Sequence, residues 1–115
     1  MTEALKKEIV QRIVKNLLDI QLLRLIQAEP TWGYKIIKRV EAEFGIRLRH
    51  GALYPLLKSL EEKGLIVGCK QREKGRTIKK YTITKDGRDY LETYMIALKE
   101  QIRGQDLSDE WAQKD

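Results

Sequence analysis

The chain is poor in the residues on which most enzyme and metal chemistry depends. Its 115 residues include one cysteine, Cys69, and one histidine, His50. A lone cysteine cannot close an intramolecular disulfide, and one Cys with one His falls short of a zinc ligand set. With no second histidine there is no partner for a catalytic triad. Neither a phosphate-cradling glycine loop nor a nucleophile elbow is present. These absences argue against catalysis and leave no call for a metal or other cofactor. Long apolar runs are missing too. The opening MTEALKKEIVQRIVKN carries charges every few residues, unlike the apolar centre of a secretory signal, and no stretch approaches the roughly 18 apolar residues of a membrane span. A reducing cytoplasm is the expected compartment.

What is abundant is charge. Lys and Arg outnumber Asp and Glu by 23 to 17. Four of those acids fall in the last ten residues beside the single Lys114, so the first 105 residues hold 22 basic against 13 acidic side chains. Such an excess suits a polyanionic partner but also serves solubility, so its placement has to decide. The densest stretch is Lys70 to Lys80, with Lys70, Arg72, Lys74, Arg76, Lys79 and Lys80 opposed only by Glu73.

The two prolines, Pro30 and Pro55, punctuate one continuous domain without internal repeats. From Thr2 to Gln27, the residues Leu5, Ile9, Ile13, Leu17, Leu18, Leu22, Leu25 and Ile26 keep helical spacing, with a break expected near Asn16. AEPTWG ends that segment in a turn. A second helix is expected over Gly33 to Glu43, with Tyr34, Ile37, Val40 and Glu41 near one face, Lys35, Lys38 and Arg39 elsewhere, and Gly45 as C-terminal cap. A third, from about Ala52 to Lys63, sets Leu53, Leu56, Leu57 and Leu60 on one stripe. Pro55 requires that it start no earlier than about Gly51. Leu65 to Gln71 and Ile78 to Ile83 read as strands joined by REKGRT, where Gly75 can take a positive φ. A last helix over Lys85 to Arg103 follows Thr84 as N-cap, with Leu91, Tyr94, Met95, Leu98 and Ile102 along one face.

The fold class this order implies is mainly α with a small β-hairpin. Helix, helix, helix and basic hairpin is the succession of a winged helix-turn-helix, whose third helix enters the major groove of DNA while the hairpin lies along the phosphates. The blocks GYKIIKRVE, HGALYPLLKSLEEKGLI and KKYTITKDGRDYL resemble, in that order, those of the PadR-like transcription regulators. The resemblance spans roughly Leu17 to Ile102, and the Leu-Tyr-Pro run with its Leu-Glu-Glu-Lys-Gly ending is its most specific part. It implies a dimer joined through the C-terminal helices, a short palindromic operator, and repression that is often relieved by a small-molecule effector. Two departures stand out. Many members carry a hydroxyl residue where this chain has Ala52, and another a few positions earlier where it has Arg49.

The expected division is residues 1–83 for the winged helix with its N-terminal helix, 84–103 for a C-terminal dimerisation helix, and 104–115 for a polar, flexible tail carrying Trp111. Lys35, Arg49, His50, Tyr54, Lys58, Lys74 and Arg76 are the candidate contacts to double-stranded DNA. Lys74 and Arg76 would grip phosphates at the hairpin tip, while Arg49, Tyr54 and Lys58 would orient the third helix. Alternatives stay open residue by residue. His50 either reads a base edge or bonds locally at the helix entrance, Tyr54 either reaches DNA or covers the core, and a basic hairpin can be simple solvated surface that blocks strand-to-strand aggregation. Leu91, Tyr94, Met95, Leu98 and Ile102 form a stripe larger than a small core needs, and this suggests a homodimer, helped by the N-terminal helix. An apolar effector would enter between the dimer helices near Tyr90 and Tyr94. Cys69 is read as a small, partly buried strand residue and Trp32 as packing at the turn. The alternative function is a winged-helix protein-interaction module. RNA binding is disfavoured because the hairpin tip has no exposed aromatics.

Overall fold

The computed structural model describes residues 2–103. The tail at residues 104–115, with Trp111, lies outside them. The described chain runs α1 (Glu3–Asn16), α2 (Leu18–Ala28), β1 (Thr31–Trp32), α3 (Gly33–Phe44), α4 (His50–Glu62), β2 (Ile66–Glu73), β3 (Arg76–Ile83) and α5 (Lys85–Ile102). No helix among the described residues is long and apolar enough to cross a membrane.

The first two helices divide at Leu17 (φ −116°, ψ 34°), beside the expected break. Thr2 caps α1 by accepting a hydrogen bond from Leu5 N at 3.2 Å, which satisfies one of the amides that a helix start leaves without a partner. α1 gives only Val14 to the core. Its Gln11 side chain donates to the carbonyls of Phe44 and Gly45 (3.3 and 3.2 Å), tying α1 to the end of α3. Gly45, at φ 67°, closes α3 as expected. The buried face of α3 is only partly the one expected: Val40 is buried and Ile37 half-buried, but Ile36 takes the place of Tyr34 and Glu41 is exposed. Ile36 and Val40 are fully covered, whereas Tyr34 is 53% exposed. Both sets of residues fit a helical period, and the contacts of the neighbouring elements choose between them.

α4 starts at His50, earlier than the limit set from Pro55. The cost is one missing donor to the carbonyl of Gly51. That residue is exposed, where water can make the bond. The core gathers α2 (Ile20, Leu22, Leu23, Leu25, Ile26), α3 (Ile36, Val40) and α4 (Leu53, Leu57, Leu60) with Leu65, Ile66 and Tyr81. Ile46 and Leu48, in the segment between α3 and α4, are buried with them. Each fully covered aliphatic side chain contributes about 1.5–3 kcal/mol.

β1 joins the hairpin to give a three-stranded antiparallel sheet of order β1-β3-β2, with Thr31 opposite Tyr81 and Trp32 opposite Lys80. The expected turn at AEPTWG therefore contains a strand. The β2–β3 ladder runs from Ile66↔Ile83 to Glu73↔Arg76, so only Lys74 and Gly75 connect the strands, not the whole of REKGRT. Both have positive φ, 49° and 77°, as in a type I′ turn, whose twist matches that of the strands. Cys69, expected to be partly buried, is exposed. Past Gly68 the ribbon leaves the core and every residue of β2 is exposed.

A single residue, Thr84, separates β3 from α5. Its hydroxyl accepts from Gly87 N at 2.9 Å and donates to the Gly64 carbonyl at 2.7 Å, while its amide donates to the Leu65 carbonyl at 3.1 Å. A Cβ at Gly87 would overlap that Leu65 carbonyl. The Thr-x-x-Gly spacing thus lets α5 begin in direct contact with the Gly64–Leu65 turn that follows α4. Leu91, expected on a dimer stripe, is 4% exposed and belongs to this chain's own core. The first turns of α5 lie so close to the body that its side chain has nowhere else to go.

Candidate nucleic-acid interface

A cleft of about 310 Å³ separates α4 from the hairpin, lined by Trp32, Gly33 and Tyr34, by His50 and Tyr54 of α4, and by Arg76, Thr77, Ile78, Lys79 and Tyr81 of β3. Two of the expected contacts on the third helix and one at the hairpin tip therefore share one concavity. Arg49 stands at the N-cap of α4 with no side-chain capping bond; its carbonyl accepts from the amides of Ala52 and Leu53, both at 3.0 Å. The amides at the helix start thus lack a side-chain acceptor and can receive an anion. α3 likewise starts without a side-chain cap or an early acid, whereas α1 and α5 are capped by Thr2 and Thr84 and carry an acid in their first turns.

His50 stacks on Tyr54, with ring centroids 5.5 Å apart and planes 12° from parallel. Tyr54 remains 46% exposed, while its hydroxyl fills the space that a Cβ on Gly33 would need. It therefore both packs on the start of α3 and presents an edge to the cleft. Lys58 is exposed one turn further along, in a neighbouring depression shared with Glu61, Glu62, Lys79 and Tyr81. Lys74 and Arg76 flank Gly75 at the tip, both exposed. Among the described residues neither they nor Lys70 and Arg72 take part in an ion pair. Lys35 differs. It pairs with Glu29 at 2.8 Å and lies 5.3 Å from the centre of the Trp32 ring. The hydrogen bond and charge of Lys35 hold the Glu29 carboxyl below its ordinary range.

One cluster escaped the sequence reading. Glu61, on the last turn of α4, accepts from Lys79 Nζ at 2.9 Å and from the Gly68 amide at 3.1 Å. The Lys79 bond holds the Glu61 carboxyl low, with the Gly68 amide assisting, and the same bond raises the Lys79 ammonium. A side chain at Gly68 would meet Lys79, Tyr81 and the Glu61 carboxylate. Nothing in the spacing signals this three-way contact, because its members lie on three different elements.

Comparison with known proteins identifies the family and the fold. No curated protein sequence matches the chain. The profile of the Transcriptional regulator PadR-like family matches residues 22–93. A solved transcriptional regulator from Thermoplasma acidophilum is 30% identical with a TM-score of 0.69, over 78% of this chain and 87% of its own. A PadR family transcriptional regulator from Eggerthella lenta shares the fold at 23% identity and a TM-score of 0.70, covering 96% of this chain and 92% of its own. A PadR-like transcriptional regulator from Bacillus cereus does so at 24% and 0.64, covering 82% and 99%. The match takes in β1, α3, α4, the whole hairpin and the Thr84–Gly87 junction, and on that extent the chain belongs to the PadR-like family, whose members are transcriptional regulators and not enzymes.

Proposed function

We propose that the protein represses transcription by binding a specific double-stranded DNA site as a homodimer. The observation that carries this reading is the shared cleft, which puts the uncapped start of α4 and the cationic strand of the hairpin on one side of the molecule. In this reading Lys74 and Arg76 meet phosphates, and Arg49, His50, Tyr54 and Lys58 present α4 to the major groove. Lys35 can join them by exchanging its exposed pair with Glu29 for a phosphate, since such a pair holds it only weakly.

The homodimer rests on uncovered apolar side chains. On α1, Leu5, Ile9, Val10 and Ile13 are between 39% and 50% exposed, and on α5 Ile96 and Ile102 are 51% and 76% exposed. Scattered exposed apolar residues are ordinary, but rows of them along two helices suit a partner's surface. Tyr94, Met95 and Leu98, half-buried, continue the row on α5 after Leu91 turns inward. An apolar effector would enter between the paired helices beside Tyr90 and Tyr94, whose rings lie 6.2 Å apart.

Selection of bound duplexes from a random-sequence pool, followed by fluorescence anisotropy, tests the DNA reading. One enriched, two-fold symmetric site is expected. Equal affinity for all duplexes would return the protein to the interaction-module alternative. Light scattering tests the dimer, and a solution mass of 13.5 kDa, that of one chain, would refute it. A promoter carrying the selected site should be silenced on expression of the protein; activation would refute the repressor assignment.

A further inference from the structure

The cluster at the hairpin root suggests a role that neither the cleft nor the basic tip explains. An acid beside a DNA-binding surface ordinarily weakens binding by repelling phosphate. Glu61 nonetheless stands between α4 and the hairpin, in the depression that it shares with Tyr54 and Lys58. Its two oxygens are divided between the strands. Oε1 takes Lys79 of β3 and Oε2 takes the Gly68 amide of β2. Gly68 makes the close approach possible, because a Cβ there would overlap the Lys79 side chain and lie 3.0 Å from the Tyr81 ring and 3.1 Å from that same oxygen. One carboxylate thus holds both strands of the hairpin to the helix.

We propose that Glu61 is a positioning residue for DNA binding, a latch that fixes the angle of the hairpin to α4 so that tip and helix reach the duplex in one register. This rests on the DNA-binding reading above. The leverage is geometric. Gly68 and Lys74 are six residues apart, which on a strand is about 20 Å. A swing of roughly 10° at the root would therefore move the tip by about 3.5 Å, more than the length of a charge-assisted hydrogen bond to phosphate. Slack at Glu61 becomes lost contact at Lys74 and Arg76. The ion pair itself is largely in solvent, with side-chain exposures of 31% for Glu61 and 42% for Lys79. Such pairs add little to global stability. The fold can therefore survive without the latch.

Replacing Glu61 separates positioning from simple charge by the sign of the effect. Glu61→Gln removes a negative charge and leaves one acceptor oxygen for the two donors, Lys79 and the Gly68 amide. If charge alone mattered, affinity for the selected duplex would rise and its salt dependence would steepen by about 0.9 per subunit as Lys79 gained a phosphate. If Glu61 positions the hairpin, affinity falls about tenfold and the salt dependence becomes shallower, as for a lost phosphate contact. Gly68→Ala, whose methyl group would overlap the Lys79 side chain and crowd the Glu61 carboxylate, disturbs the latch without changing any charge and should weaken binding in the same way. Lys79→Arg keeps the pair and should bind like the parent. Circular dichroism and melting of each variant show whether it is folded, and Glu61→Gln should melt close to the parent. Parent-like or tighter binding by folded Glu61→Gln overturns the latch while leaving the DNA reading intact. A parent protein that selects no duplex overturns both.

Discussion

Lys74→Asn tests the hairpin tip for its fold and its function at once, because the two effects should run in opposite directions. Lys74 sits at φ 49° beside Gly75 at φ 77°, in a left-handed region that costs an ordinary side chain about 1–2 kcal/mol and that Asn tolerates better. Asn-Gly is the preferred pair for a two-residue turn of this kind. The variant should therefore gain up to about 1 kcal/mol in stability, which for a domain of this size raises the melting temperature by roughly 4 °C. It also removes one cation per subunit from the place where phosphate contact is proposed. Each lost phosphate contact lowers the slope of log affinity against log salt by about 0.9, so a dimer should lose about 1.8. Between 50 and 200 mM salt the parent's affinity should then fall about 12-fold more than the variant's. Anisotropy across a salt series and a melting curve on the same preparation measure both effects. Operator and random duplexes should weaken together, since a phosphate contact carries little sequence information. An unchanged slope would remove the tip from the DNA, and a lower melting temperature would refute the account of the turn.

Arg49→Ala and Lys58→Ala should instead narrow the gap between selected and random duplexes, by about 1–3 kcal/mol where a base contact is lost, as read from competition titrations. Gly87→Ala forces a methyl group onto the Leu65 carbonyl and should destabilise by about 1–3 kcal/mol or more in urea denaturation. Thr31 is fully buried and its hydroxyl finds no partner among the described residues, so Thr31→Val should raise the urea midpoint, by up to about 1–3 kcal/mol in stability. In acid, Glu29 and Glu61, whose carboxyls are held low by Lys35 and Lys79, contribute stability that is present above the ordinary glutamate range and is lost as pH falls through their lowered values. In base, the raised Lys79 and the buried Tyr81, whose ionisation is disfavoured, contribute stability that is present below their ordinary values and is lost as pH rises through the raised ones. Urea midpoints should be flat near neutrality and fall on both sides.

The helices were legible in the sequence because each carries its own period and its own stops. Gly45 ends α3, Thr84 opens α5, and the leucines of α4 state its buried face. What was not legible depends on other elements. β1 is two residues long and exists only because β3 offers Tyr81 and Lys80 as partners. The choice of Ile36 over Tyr34 for the buried face of α3 was decided by the elements packed on it. Ile46 and Leu48 are core residues without any period of their own. Leu91 and Ile102 share one stripe in the sequence, yet the structure divides them between the interior and the surface. Within the candidate interface, the basic tip and the start of α4 were found from charge and from the Leu-Tyr-Pro run. The pairing of Lys35 and the Glu61 cluster were not, because a partner chosen across the fold leaves no mark on local spacing.

The junction at Thr84 has a consequence for the DNA rather than for the protein. With one residue between β3 and α5, and that residue bonded to Gly64, Leu65 and Gly87, a homodimer closed through α5 has no flexible joint between its interface and its reading helices. The distance and the twist between the two α4 helices are then properties of a rigid frame. Adding one base pair between half-sites turns one of them by roughly 34–36° relative to the other. A frame without a joint would not follow that rotation, so a homodimer closed in this way is expected to accept a single half-site spacing, which binding to duplexes of stepped spacing would check.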